Sequence, residues 1–160
     1  MGAARVLLIV LGAVLTILGT YVFALFQSFP PLVGSGLGFA MNLPMIFGID
    51  PGADAVVFYL FLVLFMVWLV AGVLQLIGLK SRVVGVIFSL VPLAIGIMFL
   101  LLVFTDILGM MTATFFIMTS GEVYFGFLPL LIEVGGIGLG VYFLVAGGAL
   151  GFIGSLLPKD

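Results

Sequence analysis

Four long apolar runs divide this chain, and its four basic and six acidic side chains fall almost entirely in the connections between them. A charge at the centre of a membrane helix costs roughly 2.5–3.5 kcal/mol on insertion scales, so a chain that spans a bilayer pushes its charges to the ends of its spans. Charged residues make up 6% of the chain and hydrophobic ones 66%, against about 25% charged in a soluble domain. The pattern excludes a soluble domain and predicts an all-α membrane protein, one domain over residues 1–160. It places the chain in the cell membrane as a multi-pass protein, with membrane lipids as its solvent.

The spans are predicted over about 6–26, 55–79, 83–104 and 130–157. Each exceeds the roughly 20 residues that cross about 30 Å of hydrocarbon as a helix, and a barrel strand would be shorter and alternating. The break Lys80-Ser81-Arg82 makes spans two and three a tight hairpin. The first run is too long for a signal-peptide core, which has about 7–15 residues, and Phe26-Gln27-Ser28-Phe29-Pro30 is a poor cleavage site, so it reads as a retained span. Four spans put Arg5, Lys80, Arg82 and Lys159 on one side, which the positive-inside rule makes cytoplasmic. Asp50, Asp54, Asp106 and Glu122 then lie outside. The fold expected is a four-helix transmembrane bundle with both termini cytoplasmic.

Two outer connections, 27–54 and 105–129, are unusually apolar for solvated loops. Pro30, Pro31, Pro44 and Pro51 prevent a long regular helix in the first. Residues 107–118 of the second are predicted to form a short interfacial helix ending at Ser120-Gly121. Large apolar patches rarely stay exposed, so these connections either fold over the helix ends as a cap or form a docking surface for another subunit.

Site chemistry is narrowed by what the sequence omits. It contains no Cys and no His, which removes the thiolate and imidazole ligands of Fe–S clusters, haem and most zinc or copper sites. Nucleophile pairs of the Ser-His or Cys-His type cannot form within the chain. A net charge of −2 without a clustered basic face argues against a nucleic-acid partner. The segment Gly135–Gly140, GGIGLG, matches a dinucleotide fingerprint in letters alone, since no strand precedes it and no ribose-binding acid follows. No catalytic residue, cofactor or metal site is nominated, and the expectation is a protein that is not an enzyme.

Small residues carry the most specific signal. At about 100° per residue, Gly136, Gly140, Gly147 and Gly151 share one face of span four, and Gly85, Ser89 and Gly96 share one face of span three. Gly12, Thr16 and Gly19 do the same in span one, and Ala71, Gln75 and Gly78 in span two. Lipid tails are as apolar as Leu, so membrane helices gain by close backbone packing, which only small side chains permit. The stripes either hold one monomer together or face a partner, another integral membrane subunit or a second copy in a homo-oligomer.

Glu133 is the one acid the boundaries leave at or within a span. An intramembrane acid is a candidate ion or proton site; placed at the start of a crossing that ends near Leu157, it would instead sit at the outer interface. The leading expectation is a non-enzymatic integral membrane subunit that packs against and stabilises a larger membrane complex. The alternative is a small homo-oligomeric transporter or channel with Glu133 near the pathway.

Overall fold

A computed structural model describes residues 2–109 and 111–158 of the chain. Lys159 and Asp160 lie outside the described residues, so the expected placement of Lys159 beside the other basic residues is not addressed. Four segments are long and apolar enough to cross a membrane: Ala3–Val22, Ala55–Leu79, Arg82–Phe104 and Leu139–Leu156. They are compatible with a multi-pass membrane protein. Helix is the conformation such runs require, because backbone groups in lipid must be satisfied within their own segment.

The first segment is α1 (Ala3–Ile17) prolonged by a π-helical turn, Leu18–Val22. A short helix, α2 (Gly36–Ile46), precedes α3 (Ala55–Gln75), which tightens to a 3-10 turn over Leu76–Leu79. Then come α4 (Arg82–Phe104), the short α5 (Met111–Thr119) and α6 (Leu139–Leu156). Each of α6 and α3 packs against both α1 and α4. Strands β1 (Phe26–Gln27), β2 (Val33–Gly34) and β3 (Ser120–Gly121) pair antiparallel in that order, and β4 (Glu133–Val134) pairs with β5 (Ile137–Gly138).

Two expected boundaries move. The first segment stops at Val22 rather than near 26, because Phe23 turns extended. From there the Ala24 amide donates to the Leu130 carbonyl at 2.9 Å. The fourth helix starts at Leu139, not near 130. Gly135 and Gly136 have φ of +63° and +85°, both central residues of a two-residue turn joining β4 to β5. That geometry is the left-handed turn that suits the twist of a hairpin, and glycine adopts it without steric cost. Mean hydropathy does not register it, since Leu130, Leu131, Ile132, Val134 and Ile137 are as apolar as any span.

The first connection packs over the end of the first segment and against the side of α3. A Cβ on Gly36, the first residue of α2, would stand 2.7 Å from the Thr20 carbonyl oxygen and 3.2 Å from Cζ2 of Trp68. At about 1.5 Å per residue, Trp68 is roughly 20 Å along α3 from its Ala55 end. The second connection also forms a short helix, α5, which buries Phe115 and Met118 and leaves Ile117 exposed. Phe115 meets Phe65 edge-on at a centroid distance of 5.1 Å and Phe99 at 4.9 Å. Phe39 of α2 meets Phe65 at 5.3 Å, and Phe26 stacks on Phe99 at 5.2 Å. Each such pair contributes about 0.5–1.5 kcal/mol beyond area burial. These rings close the interior at the end where α3 begins and α4 stops.

Candidate functional site

The opposite end of the interior is polar and packed by glycine. Arg5 is only 1% exposed, and its Nη2 donates to the Gly78 carbonyl at 2.6 Å. This ties the first turn of α1 to the end of the α3 segment, where unpaired helix carbonyls and the dipole favour a cation. One layer deeper, Thr16 Oγ1 donates to Gln75 Oε1 at 3.3 Å, and Gln75 Nε2 donates to the Phe88 carbonyl at 3.4 Å. Thr20 Oγ1 donates to the Thr16 carbonyl at 2.7 Å, and the Tyr21 hydroxyl donates to the Leu69 carbonyl at 2.5 Å. Ser89 and Ser155 are fully buried beside this seam. The sequence marks Arg5 as a charge at a span end; its burial against the Gly78 carbonyl has no sequence signal.

The seam exists because the backbones approach closely. A Cβ on Gly147 would lie 2.6 Å from Thr16 Oγ1 and 2.8 Å from the Gly12 carbonyl oxygen. One on Gly151 would lie 3.3 Å from Gln75 Cδ and 2.5 Å from Ser89 Oγ. One on Gly140 would meet the Phe23 carbonyl oxygen at 2.5 Å, one on Gly96 would meet Val145 Cγ2 at 2.6 Å, and one on Gly85 would meet Gly78 Cα at 2.6 Å. Real Cβ atoms are not found at such distances, so these positions admit no side chain without moving backbone or a packed neighbour. The small faces of α1, α3, α4 and α6 are turned onto one another within this chain.

Two nominated residues stand apart from that arrangement. Gly136 belongs to the β4–β5 turn and has open space where a Cβ would be, so it is a turn glycine and not half of a helix-packing pair with Gly140. Glu133 opens β4, opposite Gly138, and is exposed. It lies outside α6, and none of the hydrogen bonds of the polar seam involves it. Among the described residues, no three His, Cys, Asp or Glu side chains gather in a way that could hold a metal ion.

One polar clamp had no sequence signal. Asn42 Nδ2 donates to the Met118 carbonyl at 3.2 Å and the Ser120 carbonyl at 2.7 Å, locking α2 to the end of α5. Ser35 accepts from the Gly38 amide at 2.9 Å as the N-cap of α2. These bonds satisfy backbone groups where the chain turns inside the protein, as buried irregular backbone requires. Comparison with protein-family models, curated proteins and solved structures finds no match to this chain.

Proposed function

We propose that the chain is a non-enzymatic, multi-pass subunit of the cell membrane, with both ends cytoplasmic, that packs against other integral membrane subunits through the rim of its outer connections. Arg5, Lys80 and Arg82 share one end of the helices, and the positive-inside rule makes that end cytoplasmic. The glycine faces of the helices pack on one another within the chain, which favours a different surface for a partner. The observation that carries the reading is the rim itself. Phe47 is 64% exposed and Ile107 75% exposed, on connections that also expose Asp50 and Asp106. Carboxylates keep these turns near water, and large apolar side chains held near water mark interaction surfaces. A homo-oligomeric transporter or channel has less support, because Glu133 sits outside the helices and aromatic rings fill the interior at the acidic end.

Gentle detergent extraction followed by native mass spectrometry tests this. The expected result is a complex containing larger membrane proteins, lost in the double variant Phe47→Ser/Ile107→Ser while its helical circular dichroism persists. A monodisperse homo-oligomer, or a monomer alone, would overturn the accessory-subunit reading.

A further inference from the structure

The geometry points to a second, lipid-binding surface: the segment from Phe125 to Val134 is an aromatic and aliphatic wedge seated in the outer leaflet beside α1 and α6. This rests on the membrane reading and on no partner. The second half of the wedge, Leu130 to Val134, is tied to the spans at both ends. The Leu130 amide donates to the Val22 carbonyl at 2.7 Å, and its carbonyl accepts from Ala24 at 2.9 Å, which ties it to the end of the first span. The Tyr142 hydroxyl, in the first turn of α6, donates to the Val134 carbonyl at 2.9 Å, which ties the hairpin tip to the start of the fourth. The 18 residues of α6 measure about 27 Å at 1.5 Å each, close to the hydrocarbon thickness of about 30 Å. Whatever touches its first turn therefore lies at the outer boundary of the hydrocarbon.

Apart from the exposed carboxylate of Glu133 in β4, the large side chains of this segment are apolar and most are unburied. Phe125 is 90% exposed, and Phe127, Leu130, Ile132 and Val134 are exposed as well. Phe125 also has φ of 56°. A left-handed backbone costs a side-chain-bearing residue roughly 1–2 kcal/mol, and here it is spent holding a ring away from the protein. Outer-leaflet lipid is the occupant because the segment is bonded to the ends of two proposed spans, at Val22 and Tyr142, with its large apolar side chains exposed. Aromatic rings also partition well to that level of a bilayer. Ile137, fully buried in the same hairpin, is the anchor that fixes the wedge to the helices.

The chain has no cysteine, so single spin labels can be introduced into an otherwise unaltered protein. Phe125→Cys, Phe127→Cys and Val134→Cys are labelled in phosphatidylcholine–phosphatidylglycerol liposomes and read by power saturation against oxygen and a water-soluble nickel chelate. Ala53→Cys on an exposed connection and Val63→Cys on the exposed face of α3 are the references. The expected result is oxygen collision above nickel collision at all three sites, with nickel collision several-fold below that at Ala53. Nickel accessibility equal to Ala53 would overturn the wedge, and so would shielding from both reagents, which marks protein contact. A nickel-accessible label at Val63 would instead sink the membrane reading itself, while loss of co-purifying subunits touches only the proposed function.

Discussion

At the scale of single residues, close packing and hydrogen bonding compete as the source of helix adhesion, and their magnitudes differ. Hydrogen bonds between membrane helices average about 0.6 kcal/mol, and those of Gln75 are long, at 3.3 and 3.4 Å. Overpacking a tight interface costs about 1–3 kcal/mol, and more when the obstructing atoms are backbone. Gly147→Leu drives its side chain into Thr16 and the Gly12 carbonyl, and neither can rotate away. Thermal unfolding in detergent should therefore rank Gly147→Leu well below wild type, with Gln75→Leu losing less than half as much. An equal or larger loss in Gln75→Leu would show that the polar seam, not the glycine face, holds α1, α3 and α6. Gly136→Ala makes a separate case. It has room for the methyl, but its φ of +85° costs a residue with a Cβ about 1–2 kcal/mol, a loss confined to the hairpin and visible as faster amide exchange at Ile137.

At the scale of elements, the four long apolar helices were legible in the sequence, and the segments between them were only partly so. Length and unbroken hydropathy fix a span whatever its neighbours do, which is why 55–79 and 83–104 match α3 with its 3-10 turn and α4 within a residue. Residues 130–138 are equally apolar, and only the local backbone demand of Gly135-Gly136 separates a hairpin from a helix; that dipeptide was a readable turn signal that hydropathy masked. The partners of α2 and α5 had no sequence signature, because an apolar connection does not say which helices it packs on. In the fold, Phe115 of α5 is buried against Phe65 and Phe99. Phe115→Ala should release α5. Hydrogen exchange over 113–119 should accelerate at least tenfold, the equivalent of about 1.4 kcal/mol, while amides of α1 and α6 stay protected. Uniform acceleration throughout would mean that α5 is integral to the helix packing and not a separable insert.

At the scale of the whole molecule, the small faces close on one another, and on the proposed topology the basic residues share one end. Arg5 serves both packing and, on that topology, orientation. Folded, it is buried and bonded to Gly78, yet the positive-inside bias acts on spans as they insert, before that contact exists. It therefore counts toward orientation together with Lys80, Arg82 and Lys159, against no basic residue in the outer connections. The variant Lys80→Gln/Arg82→Gln/Asp50→Lys/Asp106→Lys leaves two basic residues on each side. With no native cysteine to remove, Ala53→Cys and Ser81→Cys report the two faces by reaction with an impermeant maleimide on intact cells. In the parent sequence, Ala53→Cys should react directly and Ser81→Cys only after permeabilisation. In the charge-balanced variant both should react in part on intact cells, because each orientation is then populated. Unchanged one-sided labelling would show that the basic residues do not dictate which way the chain inserts.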